Sequence, residues 1–387
     1  MENEIKLTFL AGVQVDNEIF FSAWNRNGLF KYNPMTEQCK FLKFFADEEN
    51  IGLHSQAILY KDTIWFIPRA SERITIVELS NMNFTYLELP ECGHRSEGHI
   101  PHIRMEGYIK KNEKYLWLIP YAYKLFLKID MDKREIIKVE EWCQEGYAIS
   151  IGVWVQNKLC VYVNSCNELR ILDVVSDRQS IKKIGEKGVS YMGIQKIGKW
   201  ILIFPKWLKD GILSLNTNTD EMRITKLECS EQCYYEYQVL TKEEDIFLIP
   251  YMGNKQVRIG VEEGSCFIKE IKKLEIENNI YCAKKIIYDN EIWFLPLVEN
   301  NPIICYEKQE DTIQYRDIKI YKKNYSEDII QSVRKYGIEY SPLACSQVIK
   351  EYTQFLNAFL QFLKKESRNN RIATSVNIGE NIYKLLE

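Results

Sequence analysis

The sequence lacks the short patterns on which most enzyme chemistry rests. There is no GxSxG elbow to expose a serine, no GxGxxG after a strand, no phosphate-cradling glycine loop and no HExxH pair. Its 11 cysteines scatter from Cys39 to Cys345 without a CxxC pair. Long apolar runs are missing, since none approaches the roughly 18 residues that span a bilayer. Met1-Glu2-Asn3-Glu4-Ile5-Lys6 has no basic stretch leading into an apolar core, so no signal peptide is expected. A strong charge of one sign is absent as well: the formal net charge is −3 and the cations are dispersed. These absences argue against nucleic acid and membrane as partners. Several cysteines, Cys160, Cys282 and Cys305 among them, sit inside apolar strand-like runs, where a thiol is a small buried hydrophobe. The expectation is a reduced, cytoplasmic protein.

What the sequence does contain is a recurring phrase: a polar turn, a run of apolar and aromatic residues, and usually a proline. The copies are Phe20-Phe21-Ser22-Ala23, Trp65-Phe66-Ile67-Pro68, Trp117-Leu118-Ile119-Pro120, Val161-Tyr162-Val163-Asn164, Leu202-Ile203-Phe204-Pro205, Phe247-Leu248-Ile249-Pro250 and Trp293-Phe294-Leu295-Pro296. Their last residues are 45, 52, 44, 41, 45 and 46 positions apart. Each repeat parses into four strands; in the second these are Ser55–Tyr60, Thr63–Ile67, Ile74–Leu79 and Phe84–Leu89. Polar pairs follow the first strand, as in Asp16-Asn17, Lys61-Asp62, Gln156-Asn157, Gly198-Lys199 and Asp289-Asn290, and suit the positive φ of a two-residue hairpin. Glu243-Glu244 is the least turn-like member of the set. The proline has no N–H to give the ladder and marks the end of strand two. The phrase itself reads as core plus strand terminator.

Short strands repeating at this interval resemble the β-propeller superfamily, with one blade per repeat. The resemblance covers about residues 5–322 and implies architecture only. Proline stands where kelch-like repeats carry a double glycine, and the Trp-Asp pair of WD40 repeats is missing. The expected fold is all-β, a seven-bladed β-propeller over 1–322 whose first and last repeats each hold four strands. Because the first and fourth copies are the weakest, a six-bladed ring with a degenerate segment is the alternative. Past Tyr325 the pattern changes. Ser326 before Glu327 and Asp328 is a helix start, and Val348, Tyr352, Phe355, Phe359, Phe362 and Leu363 recur at helical spacing. A C-terminal helical appendix is expected over 323–387, docked on the propeller or mediating oligomerisation.

A propeller gathers its loops at two ends. One end takes the turns between strands one and two and between three and four, here short and polar. The other takes the blade entries and the loops between strands two and three, which are longer and rich in aromatic residues and cations. Trp24, Arg26, Arg69, Tyr121, Lys206, Trp207 and Tyr251 follow strand two, and Tyr147, Tyr191, Tyr234, Tyr235, Tyr237 and Tyr281 lie in blade entries. Rings beside Arg or Lys fit a peptide surface or a sugar face, or else simply cover the edges of the core. The seven post-strand residues are the candidate ligand-binding set, with a protein segment or glycan as partner and no cofactor.

All four histidines, His54, His94, His99 and His102, also fall in blade entries, with Glu91, Cys92 and Glu97 nearby. They are candidate ligands for a divalent metal, although their spacing matches no usual zinc pattern. With Arg26, Arg69 and Lys206 holding carboxylates, they would make a metal-dependent, lyase-like enzyme for an acidic saccharide. Three functions follow: a non-catalytic recognition propeller, which is favoured; that enzyme; and a scaffold assembling through its C-terminal helices.

Overall fold

The computed structural model describes residues 4–321, apart from 8, 25, 46–51, 91–103, 111–112, 122, 143–149, 187, 228–233, 242–243, 276–283, 297–301 and 318. The expected appendix, 323–387, lies outside the described residues. Consecutive strands form seven four-stranded antiparallel sheets over 9–43, 54–88, 105–141, 150–183, 191–225, 234–273 and 284–316. The first strands of neighbouring blades lie against one another, so strand one is innermost and strand four forms the outer edge. The protein is a seven-bladed β-propeller. Blade two consists of His54–Tyr60, Thr63–Pro68, Arg73–Glu78 and Phe84–Glu88, each within one residue of the ends the sequence predicts.

The second strand carries the repeat signal because it is buried on both faces. Side chains alternate across a strand, so a strand sandwiched between two neighbours must be apolar at every position. In blade two, Ile64 and Phe66 face the seam with blade one, while Trp65 and Ile67 face the seam with blade three. In blade six, Ile246 and Leu248 face blade five, and Phe247 and Ile249 face blade seven. The core is accordingly a set of layers between blades. The ring closes through such a layer, where Phe9, Phe21, Phe30 and Tyr32 of blade one meet Ile286, Trp293 and Cys305 of blade seven. Among the described residues no blade borrows a strand from the other end of the chain. A two-stranded ribbon outside the blades instead pairs Glu4–Lys6 with Lys319–Tyr321.

The weak fourth copy has a structural reason for its asparagine. The Tyr191 N–H of blade five donates to Asn164 Oδ1 at 2.6 Å, and Asn164 Nδ2 donates back to Tyr191 O. Asn164 thus bridges two blades where five of the other copies end with proline and the first with Ala23. Side chains satisfy the edges of inner strands at two further seams. Gln56 accepts from Gly107 N (2.8 Å) and donates to Gly107 O (3.2 Å), and Tyr108 Oη accepts from Gly152 N (3.0 Å). Buried backbone groups need such partners.

The turns at the polar end follow from their residues. The first residue of the strand one–two turn has positive φ at Asp16 (52°), Lys61 (51°), Gln156 (55°), Gly198 (50°) and Asp289 (48°), as two-residue hairpin loops require. Glu244 belongs to a longer loop, closed by Thr241 N–H donating to Asp245 O at 2.9 Å. The strand three–four turns repeat a device of their own. Asn33, Asp130, Asp173 and Asn216 each accept two backbone N–H bonds from residues two and three ahead, at 2.9–3.3 Å.

The same turns clasp neighbouring blades. In blades three to seven, one residue at positive φ in this turn reaches back to the preceding blade: Arg134 to Glu78, Asp177 to Lys128 (3.5 Å), Asp220 to Lys182, Glu263 to Lys199 (3.1 Å) and Asp311 to Arg258 (2.6 Å). These pairs differ in environment and so in strength. The Arg258 side chain is 17% exposed and Asp311 also accepts from Tyr306 Oη at 2.7 Å, whereas Asp177 is 57% exposed. Asp311→Ala is expected to cost about 1–2 kcal/mol, because it strands a half-buried guanidinium and a tyrosine hydroxyl. Asp177→Ala should cost less than about 0.5 kcal/mol. Chemical denaturation of the two variants checks the ordering.

Candidate functional site

The loop-rich end begins from backbone constraints. In blade two, Leu53 O accepts from Arg69 N (2.7 Å), Ala70 N (3.0 Å) and Ser71 N (3.2 Å), which fixes the loop after strand two against the blade entry. In blade three, Tyr121 N donates to Arg104 O at 2.9 Å, and in blade five Lys206 N donates to Ser190 O at 2.6 Å. The rule is common to all three: the residue after strand two lies opposite the residue before strand one.

On this frame the candidate residues form cation–aromatic pairs. The Arg69 guanidinium lies 4.0 Å from the centre of the Trp24 ring, joining blades one and two. Arg104 lies 3.7 Å from the centre of Tyr121, and Lys206 is 5.5 Å from that of Trp207. All six side chains are half-buried. Gly52 has φ +62°, and a Cβ there would stand 3.0 Å from the Trp24 ring and 3.3 Å from Arg69 Nη1, so any side chain would crowd this pair as well as strain the backbone. Trp24 Nε1 is buried and has no acceptor among the described residues.

Arg26 is half-buried in the same loop as Trp24. Tyr251 is not in a loop: strand two of blade six runs on past Pro250 to Met252, and the Tyr251 side chain lies outside the described residues. Two of the blade-entry tyrosines leave the face altogether. Tyr191 and Tyr235 are the first or second residues of inner strands, 0% and 1% exposed, and pack into the seams between blades four and five and blades five and six. The Tyr235 hydroxyl donates to Lys255 O at 3.0 Å. Arg104 is the member of these cation–aromatic pairs that sequence reasoning passes over. Its signal was available in the hairpin register, which puts it opposite Tyr121.

His54, the first residue of the inner strand of blade two, is fully buried. Its Nδ1 is 3.0 Å from Ser22 Oγ and its Nε2 is 3.3 Å from Thr75 Oγ1. Both ring nitrogens are engaged, so a metal would have to displace one of these hydroxyls. Burial pushes its pKa down to about 3, and the ring is neutral inside the core. It packs edge-on to Phe45, with ring centres 4.6 Å apart. His94, His99 and His102 lie outside the described residues. Among the described residues no group of three or more His, Cys, Asp or Glu side chains is arranged to hold a metal ion.

No family model matches the sequence, and no curated protein matches it. Solved structures do. A virginiamycin B lyase from Staphylococcus aureus, in complex with quinupristin, superposes with a TM-score of 0.56 at 15% identity, covering 76% of this chain and 95% of its own. Kluyveromyces lactis Hsv2 gives 0.52 at 10% identity, over 81% of this chain and 99% of Hsv2. A chain of the mitotic checkpoint complex gives 0.53 at 8% identity, over 82% and 95%. At such identities the likeness establishes the propeller fold, which these proteins put to different uses. No helix among the described residues is long and apolar enough to cross a membrane.

Proposed function

We propose that this chain is a non-catalytic recognition propeller, binding a protein segment or a glycan on its aromatic, basic loop end. The observation that carries the reading is the set of half-buried rings, each beside a cation, on loops pinned by backbone bonds. Such pairs offer a flat apolar surface next to fixed positive charge, at little entropic cost when a partner arrives. The opposite end, with its two-residue hairpins and self-satisfied Asn and Asp turns, holds its polar groups for itself. The reading needs no metal or cofactor. The free thiols Cys39, Cys160, Cys166, Cys266 and Cys305 suit a reducing, cytoplasmic setting.

The test is capture from synthetic peptide and oligosaccharide arrays. Trp24→Ala, Tyr121→Ala, Trp207→Ala and Tyr251→Ala are expected to retain the wild-type circular dichroism and melting behaviour while most of them lose capture by about tenfold or more. Undiminished capture by all four variants removes the proposal.

A further inference from the structure

Six of the seven seams lie between blades that follow one another in the chain, so the entry into the next blade ties the two together covalently. The seam between blades seven and one has no such tie. Gln14 and Asp289, which meet across it, are 275 residues apart in sequence. Blades that touch only their neighbours behave as a linear array, and such an array frays from its ends. Closing the array into a ring costs loop entropy, which non-covalent contacts at this one seam must offset.

The seam carries contacts at both ends in addition to its apolar layer. At the polar end, the hairpin of blade one is clipped to that of blade seven. Gln14 Nε2 donates to Asp289 Oδ1 at 2.7 Å, Asp289 N donates back to Gln14 Oε1 at 2.8 Å, and Tyr288 Oη donates to Asn17 O at 3.5 Å. At the loop-rich end the terminal ribbon crosses the seam. Strand four of blade seven ends at Arg316, yet Lys319–Tyr321 already runs beside Gln38–Lys43, the outer strand of blade one. There it pairs with Glu4–Lys6, placing Ile5 opposite Ile320. Leu7, the next residue along, is buried in the layer between the two blades. Blade one lacks the ionic clasp of blades three to seven: its ion pair among the described residues, Lys31 with Glu18 at 2.7 Å, stays within the blade.

We infer that the ribbon and the Gln14–Asp289 clip form a two-ended latch, and that the propeller opens first at the seam they hold. The latch differs from a shared blade, because each blade has its own four strands and the strap lies outside them. A ribbon of three-residue strands is marginal by itself, so it releases at far lower cost than a blade strand would. Release frees blade one, and with it the loop that carries Trp24, while the blades joined by chain stay packed.

The test is hydrogen exchange on the full chain, followed by mass spectrometry of its peptides, in urea too dilute to unfold the ring. Blades one and seven, 9–43 and 284–316, should exchange through a partial opening, while blades three to five exchange only with global unfolding. Gln14→Ala and Ile5→Pro should each speed exchange in both end blades by about tenfold, as expected for one or two hydrogen bonds lost from the closed state. Ile5→Cys combined with Ile320→Cys makes the opposite change, since opposed residues of an antiparallel pair lie within disulfide reach. Oxidised with glutathione disulfide, that variant should exchange about tenfold or more slowly in the same two blades than in its reduced form. Gln56→Ala, which removes the clip between blades two and three, should leave exchange in blades one and seven as in wild type. Exchange of all seven blades in one step, opening that begins at another seam, equal effects of Gln56→Ala and Gln14→Ala on the end blades, or no slowing by the disulfide would each overturn the latch.

Discussion

Trp293→Ala is expected to cost about 3–5 kcal/mol in chemical denaturation. Trp293 is fully buried in the layer where blade seven meets blade one, 6.0 Å between ring centres from Tyr32 and 5.4 Å from Tyr288. Its Nε1 donates to Glu291 Oε2 at 2.6 Å, and Arg316, 5.4 Å from its ring centre, pairs with the same carboxylate. Alanine removes the ring and leaves a cavity that two β-sheets cannot collapse without shifting the closure of the ring. Met35, 82% exposed in a turn of blade one, serves as the contrast: Met35→Ala should change stability by no more than about 0.5 kcal/mol. A small loss at Trp293 would mean that the blade seven–blade one layer does not hold the ring shut.

The second large effect is on acid stability. His54 is neutral and buried in the folded chain with its pKa lowered to about 3 by desolvation, whereas in the unfolded chain the ring takes up a proton near the ordinary value of about 6.5. Below that pH the unfolded state binds a proton that the folded state refuses, so stability falls as pH falls through the window from about 6.5 to about 3. Between pH 7 and pH 5 the loss from this one group is about 2 kcal/mol, from 1.36 kcal/mol per unit of pKa difference. Wild-type protein should therefore lose about 2 kcal/mol more over that interval than His54→Asn, whose side chain does not titrate. The His54 ring proton resonances should also stay unshifted down to about pH 4. A ring that titrates near 6.5 would show that the Ser22 and Thr75 contacts do not seal it from water.

The fold was legible because one strand in four announces it. Strand two is sandwiched between blades, so its entire run must be apolar, and that run survives wherever the rest of a repeat drifts. One of the two copies that looked weakest, 161–164, was weak for a local reason: Asn164 exchanges two hydrogen bonds with the backbone of Tyr191, a role proline cannot take. The terminal ribbon was not legible, since three-residue strands such as Glu4–Lys6 have no periodicity to read. Trp24, Arg69, Tyr121, Lys206 and Trp207 were legible as a set, because connectivity alone assigns loops to one end of a propeller. Their pairing was not, because it depends on how ring and guanidinium planes meet. Tyr191 and Tyr235 looked equivalent to the loop aromatics, but at the start of an inner strand the pleat directs them into a seam. His54 resembled a ligand only by residue type; its burial comes from facing hydroxyls on two different blades, 32 and 21 residues away in sequence.

The claim that the cation–aromatic end is the working surface is tested most directly by hydrogen exchange on the full chain, with and without a peptide or oligosaccharide captured from the arrays. Ligand should slow exchange in the stretches following strand two, around Trp24, Arg69, Tyr121 and Trp207, while leaving the hairpins at 16–17, 130–134 and 216–220 unchanged. Protection confined to those hairpins, with the Trp24 and Tyr121 loops exchanging at their free rate, would put the working surface at the opposite end of the ring.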